Sequence, residues 1–195
     1  YNGCYWNPDF PVITMWEGAV PPNQAPLVGN QTGYWLRTFV PPSMNRTTPG
    51  FPNWHLYRLA EAYLNYAEAL NEYQGPVTEA YQAVNTIRNR VGMPDLPAGL
   101  SKEQFRERVR NERDVELAFE EHRLWDTHRW VIADQDGVLN GDMLGIRIYK
   151  QDPPSTEFSY EYRVFEVRTF TPKMYRIPFL QNEVNKGYLV QNPGW

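Results

Sequence analysis

Apolar residues recur at helical spacing through the middle of the chain. Leu56, Ala60, Tyr63, Ala67 and Leu70 fall three to four positions apart, which predicts a helix starting near Trp54 and stopping at Gly75-Pro76. Ala80, Val84, Ile87 and Val91 mark a second helix, with Gly92 as its C-cap candidate and Pro94 just beyond. Two helices joined by a short turn make an αα-hairpin. Ser101 opens a third helix, and Gln104 three residues on fits a capping box. This helix carries Phe105, Val109, Phe119, Trp125 and Trp130 and is read as one long element reaching Ala133. A kink near Glu120–His122 is compatible with the pattern, although periodicity alone does not show it. From Asp134 the pattern becomes mixed. Asp136-Gly137 and Asn140-Gly141 are turn signals, and Ile146, Ile148 and the run Phe158 to Phe170 have strand composition with partial alternation. Asp152-Pro153-Pro154-Ser155 suits the loop of a hairpin between them. Met174 to Phe179 is short and apolar, and Pro178 restricts it to an edge or extended segment.

The first 53 residues show no such period. They hold nine of the 17 prolines and only four charges, Asp9, Glu17, Arg37 and Arg46, yet they carry Tyr5, Trp6, Phe10, Trp16, Tyr34, Trp35, Phe39 and Phe51. Paired prolines at 21–22 and 41–42 deny regular helix and central strand. Long loops without secondary structure are uncommon and are usually functional. This one is too aromatic for a free linker, so it is expected to pack on something. The fold class that follows is mostly α: a tetratricopeptide-like helical hairpin plus a long helix, with long irregular loops and a small β hairpin. The whole chain reads as a single domain in three stretches, 1–53, 54–133 and 134–195. A lone helical hairpin cannot bury both faces, and helical repeats need about three units to be stable. Further helices upstream are therefore expected, and the start at Tyr1 without a Met reads as the start of an excised piece.

Composition narrows the function. Nineteen Lys and Arg against 23 Asp and Glu give a net charge of -4, the opposite of a nucleic-acid binder's basic stripe. No apolar run approaches the roughly 18 residues of a membrane helix. One cysteine allows neither an internal disulfide framework nor a multi-cysteine zinc site. His55, His122 and His128 form no metal-binding pair, and no metal or cofactor is expected. Asp134, Asp136, Asn140 and Asp142 have some of the oxygen donors of a calcium loop, but Gly137 is misplaced for an EF-hand and a solvated turn is the better reading.

Glu112, Glu116 and Glu120 recur every fourth residue, and paired carboxylates can hydrolyse glycosidic bonds. A catalytic acid needs a raised pKa. Arg108, Arg113, Arg123 and Arg129, interleaved with these carboxylates, are expected to neutralise them and lower it. No catalytic residue is assigned. The loop aromatics offer another chemistry. Tyr and Trp present a flat apolar face that suits the C–H side of a pyranose, while Asn, Asp and Arg bond its hydroxyls. Tyr5, Trp6 and Asn7 cluster, Trp16 stands beside Glu17, and Tyr34, Trp35 and Arg37 form a third group. Each ring has an alternative role as a fastener of the loop, because large aromatics are mostly buried.

Several blocks resemble one known family. Arg58-Leu59-Ala60-Glu61-Ala62-Tyr63-Leu64-Asn65-Tyr66-Ala67-Glu68-Ala69, then Asn85-x-x-Arg88-Asn89-Arg90-Val91-Gly92, are similar to two successive SusD/RagB helices. The segment from Glu112 to Asp126, followed by Arg129-Trp130, resembles the family's most recognisable block. The close, from Ile177-Pro178 to Gln191-Asn192-Pro193-Gly194-Trp195, is similar to its C-terminal signature. Glu121 departs from the family, which has a small residue, usually Gly, before the His-Arg pair; a softer kink is expected here. The resemblance implies the C-terminal part of a surface-exposed outer-membrane lipoprotein of Bacteroidetes-type bacteria, its lipid anchor absent from this chain. Such proteins bind oligosaccharide or polysaccharide without catalysis and pass it to a SusC-like TonB-dependent transporter. It implies sugar contacts on variable loops, here Tyr5, Trp6, Asn7, Trp16, Tyr34, Trp35 and Arg37. It also implies that the Glu112–Trp130 block is scaffold, with a partly buried Glu–Arg network and with Trp125 and Trp130 packing. The alternative is a tetratricopeptide-type protein-interaction scaffold without a sugar site.

Overall fold

The computed structural model describes residues 55–151 and 157–195, together with Thr32, Tyr34 and Phe39. They belong to two compact units, one formed by residues 53–126 and the other by residues 1–52 and 127–195.

The first unit is helical. α1 (Leu59–Gln74) buries Leu64, Ala67 and Asn71, which recur at three- and four-residue intervals and so share one face. Leu56, counted above as part of this helix, instead precedes it and is 87% exposed. α2 (Thr78–Arg90) buries Ala80, Ala83, Val84 and Ile87. Its end is a Schellman motif: the Gly92 amide donates to the Asn89 carbonyl and the Met93 amide to that of Arg88. Gly92 sits at φ +73, where a residue without a Cβ carries no penalty. α3 (Lys102–Glu116) begins with the expected capping box, the Gln104 amide on Ser101 Oγ at 3.2 Å and the Ser101 amide on Gln104 Oε1 at 2.9 Å. α1 packs on both α2 and α3. Between them lies a core of Leu64, Val84, Ile87, Phe105 and Val109, with small alanines at 67, 80 and 83 permitting close approach. Tyr81 meets Phe105 edge-on at 4.7 Å, and its hydroxyl accepts the Leu100 amide.

The long third helix of the sequence reading is two helices. α3 ends at Glu116, and α4 (His122–Arg129) starts after a turn. Phe119 and Glu121 stand at φ +66 and +65, in the left-handed region that an α-helix cannot contain. The chain therefore breaks fully at the position where a softer kink was expected. The apolar period conceals this, because Leu117 still enters the core while Phe119 is exposed.

The second unit carries a two-stranded antiparallel hairpin, β1 (Gly141–Lys150) and β2 (Phe158–Arg168), as the alternation suggested. Leu144, Ile146 and Ile148 stand opposite Val164, Tyr162 and Tyr160, so the middle of one face is apolar and aromatic. A bulge lies between Met143 and Leu144. The segment at Met174, expected to be extended, begins as a 3-10 turn, Pro172–Tyr175, with proline at its entry. A short helix, α5 (Gln181–Val184), was not anticipated. Among the described residues no helix is long and apolar enough to cross a membrane.

Candidate functional site

Of the seven candidate sugar contacts, Tyr5, Trp6, Asn7, Trp16, Trp35 and Arg37 lie outside the described residues. Tyr34 is described, and it is 58% exposed. Its amide donates to Thr32 Oγ1 at 3.2 Å, and the Thr32 carbonyl accepts the Ile146 amide at 2.9 Å. Thr32 is thus tied to the middle of β1, and the Tyr34 ring two residues on is exposed.

The glutamate series is engaged differently from the sequence reading. Glu112 accepts from Arg88 at 2.6 Å and Glu116 from Arg90 at 2.7 and 2.9 Å, both cations belonging to α2. Arg58, the residue preceding α1, spans the helix break. Its guanidinium holds Glu120 through two bonds of 2.7 and 2.9 Å and Glu116 at 2.5 Å, and it also donates to the Glu116 backbone carbonyl. That carbonyl is among the last of α3, which lack helical partners, so Arg58 acts as a C-cap from a distant part of the chain. The bond to Glu120 leads in raising the Arg58 pKa above its ordinary value, and the guanidinium stays charged.

The arginines on α3 and α4 do other work. Arg113, buried, meets Asp126 at 2.5 Å, Asn65 at 2.6 Å and His122 Nδ1 at 3.4 Å, with Glu61 at 3.9 Å. Arg123 approaches Asp114 at 3.3 Å. Cross-helix guanidinium–carboxylate pairs of this kind are a structural ion network, the common mimic of an acid–base site. Trp125, read as packing, is 66% exposed, whereas Trp130 is half-buried beneath the Arg129 guanidinium at 4.7 Å.

The acidic turn at 134–142 is held by protein groups. Tyr175 donates to Asp134 at 2.7 Å, Asn140 donates to Asp136 at 3.0 Å, and the Asn140 side-chain oxygen accepts the Phe170 amide. His128 packs edge-on against both Phe170 and Tyr175, at 5.4 and 5.5 Å. Burial, followed by the bond to Asp134, pushes the Tyr175 hydroxyl above its usual pKa, so it remains a donor at neutral pH.

A groove of about 660 Å³ lies beside these rings, walled by His128, Tyr175, Lys173, Arg176 and Gly194. The sequence reading had no signal for it, because its walls come from a helix end, a 3-10 turn and the C-terminal segment. Trp195 fastens the C-terminal segment beside it: the indole N–H donates to the carbonyls of Lys173 and Arg176 at 3.1 and 2.9 Å.

The profile of the SusD family matches residues 1–195, and the chain belongs to this family. Over 80 residues it is 41% identical to SusD-like protein P25 of Formosa agariphila, covering 40% of this chain and 15% of that protein. Over 91 residues it is 34% identical to SusD-like protein P2 of the same organism, covering 43% and 18%. A solved SusD-like protein from Bacteroides fragilis superposes with a TM-score of 0.70 at 35% identity, over 86% of this chain and 31% of that one. A SusD homolog from Bacteroides thetaiotaomicron gives 0.52 at 31% identity, over 77% and 30%. The chain thus spans about a third of the length of these solved relatives.

Proposed function

We propose that the protein binds oligosaccharide or polysaccharide without catalysis at the bacterial outer-membrane surface, held there by a lipid anchor, and delivers it to a SusC-like TonB-dependent transporter. The family match over residues 1–195 carries this reading. The exposed Tyr34 beside β1 supports a stacking surface on the aromatic loop, with Tyr5, Trp6, Asn7, Trp16, Trp35 and Arg37 as its further contacts. The occupied glutamates support a role without hydrolysis, since each carboxylate of the series already holds a guanidinium. Calorimetric titration of oligosaccharides into the wild type and into Trp16→Ala, Tyr34→Ala and Trp35→Ala tests the assignment. Aromatic–base stacking elsewhere is worth about 1–3 kcal/mol per ring. A sugar contact of similar size would weaken binding by roughly ten- to hundredfold on its loss. Unchanged affinity in all three variants would remove these rings from the site, and no binding by the wild type would favour the interaction-scaffold alternative.

A further inference from the structure

We infer that the groove between the 3-10 turn and the C-terminal segment is a second saccharide site, one that takes an acidic sugar bearing a carboxylate or sulfate group. The inference rests on the glycan reading above but concerns different residues and a different ligand class. Pro172 fixes the entry of the turn, and the Arg176 amide bonds back to the Lys173 carbonyl at 3.1 Å. A 3-10 turn has three residues per turn, so residues three apart rise on the same side. Lys173 and Arg176 accordingly line one groove.

Among the described residues no carboxylate pairs with Arg176, and the Lys173 ammonium lies over the Trp195 ring at 4.3 Å instead. Asp134, the acid recorded against a lining residue, is taken by the Tyr175 hydroxyl. Two like charges gathered on one turn repel each other, and a bound anion relieves that repulsion. A planar guanidinium also matches a carboxylate or sulfate edge with two parallel hydrogen bonds.

The remaining walls suit a sugar ring. His128 and Tyr175 contribute aromatic surface, and Pro172 and Pro193 contribute apolar edges. The volume of about 660 Å³ falls within the roughly 300–1,000 Å³ of small-ligand pockets. The site is also built rather than accidental. The C-terminal strap is pinned by both Trp195 bonds, and Gly194, at φ +91, approaches so closely that an added Cβ would lie 2.9 Å from Lys173 Cβ.

Calorimetric titration distinguishes the possibilities with three probes of matched length: a hexuronate oligosaccharide, a sulfated oligosaccharide and a neutral one. The wild type should bind at least one acidic probe, with affinity falling as salt rises. Arg176→Ala and Lys173→Met should each weaken that binding at least tenfold and leave the neutral probe unaffected. The probe that binds identifies the anion as carboxylate or sulfate. Both side chains are exposed, so circular dichroism of the variants should match that of the wild type. Acidic and neutral probes binding alike, or variants binding acidic probes as wild type does, would overturn the groove while leaving the loop site standing. Absence of binding by all three probes would overturn both.

Discussion

Glu121 carries a side chain through backbone geometry that favours glycine. Its φ of +65 places the Cβ against the following carbonyl, at a cost of about 1–2 kcal/mol. Among the described residues its carboxylate has no hydrogen-bond or ion-pair partner that would offset this strain. Glu121→Gly should therefore raise unfolding stability by about 1 kcal/mol in a urea titration, after allowance for the greater unfolded-state freedom of glycine. A destabilised variant would mean that the side chain holds the break. Arg113 presents the opposite case. Its charge is buried among Asp126, Asn65 and His122, and truncation would leave the Asp126 carboxylate uncompensated in the interior. Removing one partner of such a pair costs about 3–5 kcal/mol, so Arg113→Ala should unfold at markedly lower denaturant. A loss below about 1 kcal/mol would show that water reaches the pair.

At the scale of elements, the capping box at Ser101 and the stop at Gly92 were legible because both are local: donor, acceptor and glycine lie within a few residues of one another. The break after Glu116 was not. Its stabilising partner is Arg58, which lies beyond α1 and α2 in sequence, and Leu117 preserves the apolar period through the turn. The glutamates could be read as neutralised but not by which arginines, since α2 and the residue before α1 reach them only in three dimensions. The tie between α1 and α3 has a measurable signature. Arg106 holds Glu72 through bonds of 2.6 and 2.7 Å and depresses its carboxyl pKa below the ordinary 4.5. The unfolded chain then binds this proton more readily than the folded one. The stabilisation is present above pH about 4.5 and is lost as pH falls through the lower folded value. Glu72→Gln should have a lower melting temperature at pH 7 and a shallower decline on acidification than the wild type. Parallel declines would remove Glu72 from the acid response.

At the scale of the whole molecule, membership of the SusD family was legible from blocks running from Arg58 to Trp195, because those blocks build the helices and the C-terminal strap. The groove was not legible. His128, the turn carrying Lys173 and Arg176, and Gly194 converge from separate segments, and no spacing rule joins the three. The candidate loop contacts were chosen by residue type alone, and Tyr34, the described member of the set, is 58% exposed. Glycan capture is the central claim. Its most direct test is a titration of intrinsic tryptophan fluorescence with an oligosaccharide panel, with circular dichroism recorded on the same sample. The account predicts a saturable change with one glycan class from a helical, folded protein. A folded protein whose fluorescence responds to no glycan in the panel would contradict it.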